Sequence, residues 1–254
     1  MEIISVINQK GGVGKSTTSA AIASGLCKKG KKVLIIDLDA QGNISSTFPI
    51  KESHDGNNAF SVISKESDIS SAIQSTPYGD VIPSTPALSG IDILFNNKTG
   101  REYQLKEVLL SAKLPYDYIV IDTPPALGSL TINALTASNS IIVPAQADVF
   151  SLQGIIQLYQ TINAIQTYTN PSLKVRGIVL NRFNKRSTIS KEILTLLENF
   201  AAKEGTKVYQ TKIRECTALK EAQVARVSIF EYAPKCNAAV DYMNLVEEII
   251  QEDK

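Results

Sequence analysis

The stretch Asn8–Thr17, NQKGGVGKST, decides the fold. The ordinary phosphate-binding loop, G-x-x-x-x-G-K-[ST], opens on a glycine, but here Gln9 stands in that place and Lys10 adds a second lysine. Gly14, Lys15 and Ser16 keep the rest of the pattern. The apolar run EIISVIN (2–8) before it reads as a buried strand, and GKSTTSAAIASGLCKKG (14–30) reads as a helix closed by Gly30. Strand, glycine loop and helix in that order are the context that makes the motif a phosphate site. Gly11, Gly12 and Gly14 let backbone N–H groups wrap a polyphosphate, and the helix adds its positive dipole end. Nucleotide contacts are therefore expected from Lys10, Gly11, Gly12, Val13, Gly14, Lys15, Ser16 and Thr17, with Lys15 reaching the phosphates and Ser16 offering its hydroxyl to Mg²⁺.

Outward from the loop, short apolar runs alternate with longer helical patterns, as in βαβ units around a parallel sheet. KKVLIIDLD (31–39), YDYIVIDTPP (116–125), NSIIVPAQ (139–146) and LKVRGIVLNRF (173–183) read as strands, and TKVYQTKI (206–213) as the last one. Helices are predicted over Ser151–Tyr168, from Ser187, over Thr217–Arg226 and over Asn237–Glu252. Pro49–Gly100, rich in Ser, Asn, Gly and Pro, predicts long loops with a short helix or hairpin. No repeat or linker divides the chain, so residues 1–254 are expected to form a single domain.

In such sheets ligands bind beyond the carboxyl ends of the strands. Asp37 and Asp39 stand two apart at one strand end and Asp122 ends another. One of the first pair could support a magnesium shell and the other orient a water, while Asp122 fits the carboxylate that holds Mg²⁺ in phosphate-loop nucleotidases. His54 is the only histidine, so a Ser-His-Asp or Cys-His centre would have to be built around it. Water attack on ATP, helped by positioning and by an extra cation, is the economical reaction. Lys10 is a candidate for that cation.

Composition bounds the rest. The 254 residues are 43% hydrophobic with net charge +1, yet Lys174–Lys235 carries 13 Lys and Arg against 6 Asp and Glu. A basic segment thus sits in a nearly neutral protein. No run of about 18 apolar residues is present, and the start is acidic where a secretory signal would be basic. A cytoplasmic protein is expected. Cys27, Cys216 and Cys236 are odd in number and widely spaced, which suggests neither a disulfide framework nor a zinc or iron–sulfur site.

KGGVGKST, with DLDAQGN (37–43), IVIDTPPALG (119–128) and IRECTALKEAQVARVSIFEYAPKCNAAVDY (213–242), resembles the ParA/MinD group with its deviant Walker A motif. It is most similar there to the small, Soj-type ParA partition ATPases. The resemblance implies an α/β P-loop NTPase domain of the SIMIBI type, its mostly parallel sheet flanked by helices. It implies an ATP-dependent sandwich dimer in which Lys10 crosses to the neighbour's nucleotide, with Asp39 positioning the attacking water and Ser16, Asp37 and Asp122 around Mg²⁺. It further implies non-specific DNA binding, nucleoid association, weak hydrolysis alone and stimulation by a ParB-type centromere-binding protein.

Departures accompany the match. Ala40 stands where the group has proline. One family DNA-binding arginine falls on Arg186 and another on Ala218, leaving Lys185, Arg214, Lys220 and Arg226 as candidates to compensate. Arg214 also replaces a proline beside the expected adenine pocket, where Asn181 could contribute. The chain starts at its first strand, so no amino-terminal helix-turn-helix extension is expected. A positioner of non-DNA cargo within the same group is the alternative. A MinD-like membrane regulator would need a basic amphipathic end where YMNLVEEIIQEDK (242–254) is acidic, and an iron-protein reductase would need paired cysteines.

Overall fold

The apolar runs pair side by side. In the computed structural model, which describes residues 1–51 and 56–253, β1 (Glu2–Val6), β2 (Val33–Asp37), β3 (Asp80–Ile82), β4 (Tyr118–Asp122), β5 (Ser140–Gln146) and β6 (Lys174–Asn181) form one sheet. Its order is β3-β2-β4-β1-β5-β6 and every pairing is parallel. His54 lies outside the described residues.

Parallel strands need crossovers, and helices supply them on both faces. They are α1 (Lys15–Lys28), α2 (Asn43–Thr47), α3 (Ala59–Ser64), α4 (Ile69–Ala72), α5 (Ile91–Phe95), α6 (Gln104–Ser111), α7 (Ser129–Ala137), α8 (Val149–Tyr168), α9 (Thr188–Lys203), α10 (Ala218–Ala225), α11 (Ile229–Tyr232) and α12 (Asn237–Glu252). Side chains alternate along each strand, so Ile4, Val6, Ile35 and Val120 pack with α1 and α12. Their neighbours face the other way: Ile36 and Ile121 pack against α3, α6 and α7, and Ile7, Val143 and Leu180 against α8 and α9. Leu245, Val246 and Ile249 of α12 are fully covered, so its apolar face is spent on the core. No helix among the described residues is long and apolar enough to cross a membrane.

Two expectations need correction. Thr206–Ile213 is not a full strand: it touches β6 through one parallel bridge, Val208 to Ile178, and rejoins it where Ile213 N donates to Leu180 O. Between those points Gln210 N and Thr211 N donate to the Glu248 carboxylate of α12, at 3.0 and 2.8 Å, which pulls the backbone off the ladder. Within Pro49–Gly100 the chain forms short helices and a hairpin-like Gln74–Val81 bridge, but also the edge strand β3, which was not foreseen.

At the amino end of the sheet the β5–β6 register shifts between Ile141 and Ile142, making Arg176 an extra residue. Its guanidinium, 9% exposed, donates to Glu2 at 2.9 Å, to Ser140 Oγ at 2.8 Å and to Asp253. Arg176→Ala strands these partly buried acids together, and a loss of about 2–3 kcal/mol is expected. A fall in the urea midpoint with an unchanged m-value would show it.

Candidate functional site

The glycine loop leaves β1 and is tied down by Asn8, whose Nδ2 donates to Pro144 O at 2.7 Å and whose Oδ1 receives Lys10 N at 2.9 Å. Gly14, the N-cap of α1, has φ 92°, in the left-handed region that only glycine enters cheaply. A Cβ there would also meet Asn181 Nδ2 at 2.8 Å. The first turn of α1 carries no acidic residue and no side-chain cap, so its amide donors stay available for an anion. They open onto a cavity of about 690 Å³ lined by Gly11, Gly12, Gly14, Lys15, Ser16 and Thr17 on one side, and by Asp39, Arg182, Gln223 and Arg226 elsewhere.

Register brings the carboxylates together. Asp37 and Asp122 are direct partners on β2 and β4, both fully buried. Burial pushes both carboxyls up from their ordinary values, and the two charges oppose each other. Asp37 is satisfied within the protein: Oδ2 accepts from Ser45 N at 2.9 Å and Ser45 Oγ at 2.7 Å, and Oδ1 from Asp39 N at 3.2 Å. Asp122 is not. Its Oδ1 accepts from Ser19 Oγ at 2.8 Å, but the buried Oδ2 has no partner among the described residues. An orphaned carboxylate oxygen beside Ser16, which favours its charged form, fits a divalent cation. Asp39 does not share the Asp37 environment, because β2 ends at Asp37; its side chain lines the cavity, with Oδ1 held by Gln41 N at 3.1 Å.

Lys15 is 7% exposed, and burial lowers its pKa against the opposing pull of Asp122 and Asp39. Its Nζ donates to Lys10 O at 3.4 Å. Lys10 points elsewhere. Its Nζ sits 2.9 and 2.7 Å from the two Asp148 oxygens, at the N-cap of α8, and 3.5 Å from Ser151 Oγ. Burial opposes ionisation of Asp148, but hydrogen bonds from Lys10 and Ser151 outweigh it and hold the carboxyl below its usual value. The two lysines of the loop thus have separate environments 5 residues apart, one in the phosphate cavity and one beside α8.

Asn181 is committed as well. Its Nδ2 donates to Val13 O at 2.8 Å and Thr18 Oγ1 at 3.1 Å, which pins the loop from behind. It also lines a second cavity of about 130 Å³ that shares Gly14, Thr17, Arg182 and Gln223 with the first and continues along Ile213, Arg214 and Cys216. Arg214 forks onto Asp241, with Nε at 2.9 Å and Nη2 at 2.7 Å, fixing the wall of that cavity. Lys185 and Arg186 are exposed on the loop after β6, and Phe183 N to Ile213 O joins this loop to the segment leading to α10, where Lys220 is exposed. Arg226 is exposed at the C-cap of α10, on the rim of the phosphate cavity. Asp148 and Arg182 were missed although each follows a strand, the rule that found Asp39. Gln223, whose Nε2 donates to Thr17 Oγ1 at 3.1 Å, carried no signal in the sequence.

This geometry can be set beside known proteins. A family model described as AAA domain matches residues 1–175. The sporulation initiation inhibitor protein Soj of Bacillus subtilis is 36% identical over 250 residues, covering 98% of each chain. The chain belongs to the ParA/Soj family of P-loop ATPases. The chromosome partitioning protein ParA of Caulobacter vibrioides is 34% identical over 258 residues, covering 100% of this chain and 96% of its own. Among solved structures, cobyrinic acid a,c-diamide synthase of Mycobacterium smegmatis, with a bound ATP analogue and magnesium, matches with TM-score 0.85 at 29% identity, over 99% of this chain and 95% of that one. The ParA/Soj framework is therefore the all-parallel sheet described above, with the glycine loop at the end of its first strand.

Proposed function

We propose that this protein is a partition ATPase that binds ATP with Mg²⁺, dimerises on it, holds DNA without sequence preference and is released when a ParB-type partner stimulates hydrolysis. The observation that carries the reading is the separation of the two loop lysines: Lys15 lies in the protein's own phosphate cavity, whereas Lys10 rests outside it on Asp148. The first completes a binding site. The second is a cation held in reserve near the surface, as a residue serving a neighbour's nucleotide should be.

Ser16 and Asp122 would hold Mg²⁺, with Asp37 behind them organising the 37–45 turn. The metal, when bound, supplies charge neutralisation on the triphosphate. Backbone donors of 11–16 orient the phosphates, Asn181 keeps the loop in shape, and Asp39 orients the attacking water from the cavity wall. The base fits the cavity between Asn181 and Cys216, whose wall Arg214 braces. Asp39→Ala is expected to cut turnover at least about 100-fold while leaving ATP binding intact. The variant should accumulate as an ATP-bound dimer in a sedimentation experiment; normal turnover would place the water elsewhere.

DNA contact is assigned to Lys185, Arg186 and Lys220, which extend from the loop beyond β6 to α10. Burial lowers the pKa of Lys212 against the pull of Glu198 and Glu248, and the Lys185 charge nearby adds to that lowering, so positive charge gathers at this edge for a phosphate backbone to meet. With Arg186→Ala in both subunits, the slope of log affinity against log salt should become shallower by about two per dimer. DNA binding compared with ADP, ATP and a non-hydrolysable analogue tests the switch itself. An ATP-loaded protein that shifts no DNA at low salt overturns the DNA reading in favour of another cargo.

A further inference from the structure

Arg182 and Arg226 differ from the other non-glycine residues described as lining the phosphate cavity. Both are non-glycine residues in the left-handed region, with φ 52° and 53°, and the third such residue, Lys65, lies at the end of α3. L-residues avoid this conformation because Cβ crowds the following carbonyl. Both line the phosphate cavity together with the loop that carries Lys15. Neither guanidinium forms an ion pair or a hydrogen bond among the described residues, whereas Arg101, Arg176 and Arg214 all do. Among the described residues the cavity lining thus carries Lys15, Arg182 and Arg226 with the carboxylate of Asp39, and Asp122 lies buried behind Lys15.

Their positions are held by the fold rather than by chance. Arg182 follows Asn181, which is bound to Val13 O and Thr18 Oγ1, and precedes Phe183, whose N donates to Ile213 O at 2.9 Å. It lines both cavities, so it stands where a phosphate chain would meet its nucleoside. Arg226 follows Gln223, whose side chain grips Thr17 on α1, and its N closes the helix end on Gln223 O at 3.1 Å. The left-handed φ of Arg226 ends α10, as an αL residue commonly ends a helix; Arg182 ends no helix, and its strained backbone, kept in place by its surroundings, points to a task for the side chain.

We propose that Arg182 and Arg226 form a second cationic arm of the nucleotide site, closing on the phosphates from the β6 loop and α10. This rests on the reading that the cavity takes ATP. Arg226 meets the phosphate chain alone, and Arg182 its nucleoside end. A charge-assisted bond to phosphate from each guanidinium adds to what Lys15 and the loop amides supply. Because Gln223 and Arg226 both belong to the α10 end, filling the cavity also fixes that helix against α1.

The test is calorimetric titration of ATP, ADP and inorganic tripolyphosphate, each with Mg²⁺, into wild type, Arg226→Gly and Arg182→Asn. Glycine and asparagine both accept the left-handed conformation, so the melting temperature should stay level or rise. Arg226→Gly should weaken ATP and tripolyphosphate about tenfold or more. Arg182→Asn should weaken ATP and ADP by a similar factor and tripolyphosphate less. Unchanged affinities in both variants, against a wild type that binds, overturn this assignment and leave the nucleotide reading standing. Loss of DNA binding by Arg226→Gly with ATP affinity intact overturns it too, giving the arginine to DNA. A wild type that binds none of the three probes overturns both readings.

Discussion

Lys15→Ala is expected to abolish measurable ATP binding while leaving a folded protein. Lys15 is the most enclosed cation of the phosphate cavity, 7% exposed, and burial lowers its pKa although Asp122 and Asp39 pull the other way. An ammonium in that setting makes short, charge-assisted bonds to a triphosphate, each worth about 1.5–3 kcal/mol. Losing two of them weakens binding by roughly 10²- to 10⁴-fold, enough to carry a micromolar ligand to about 0.1–10 mM, beyond the reach of a titration at micromolar protein. The fold should tolerate the change, because Asp122, already pushed up by burial and by Asp37, can take a proton when the lysine is gone. Titration with a fluorescent ATP analogue, beside a thermal melt, checks both halves; retained micromolar binding would mean that the loop amides alone hold the nucleotide.

Much of the site that this variant probes was legible because its parts are contiguous. Ten residues, Asn8–Thr17, run from just past the end of β1 through the left-handed Gly14 to the start of α1, and each step follows from local chemistry. The positions of Asp37 and Asp122 followed from apolar runs ending in a carboxylate, but their face-to-face register needed the sheet order β2-β4-β1. Long helices were readable to within two residues, as Val149–Tyr168 and Asn237–Glu252 show, because many turns share one pattern. Three residues of β3 show no period, and the failure of Thr206–Ile213 to pair fully depends on Glu248, 37 and 38 positions away from the amides it captures. The resting partner of Lys10 was invisible for the same reason, since Asp148 is 138 residues distant.

Lys10→Ala should separate nucleotide binding from dimerisation. In the monomer Lys10 makes no contact that shapes the phosphate cavity apart from its backbone, and Gly11, Gly12, Gly14 and Lys15 remain in place without its side chain. ATP affinity of the monomer should therefore fall less than about tenfold, one charge-assisted bond or fewer. Dimerisation is different. Lys10 and Asp148 are about a third exposed, so their pair contributes about 1 kcal/mol or less. Exchanging that carboxylate for a desolvated triphosphate on a neighbouring subunit is favourable, and a symmetric dimer makes the exchange twice. Sedimentation with a non-hydrolysable ATP analogue should show wild type as a dimer and Lys10→Ala as a monomer at every accessible concentration. Asp148→Asn supplies the opposite sign: asparagine keeps the N-cap of α8 but releases the lysine, so the ATP dimer should tighten, by up to about 30-fold for two pairs. A Lys10→Ala protein that still dimerises with ATP, or an Asp148→Asn protein that dimerises less well, would show that the lysine never leaves its own subunit.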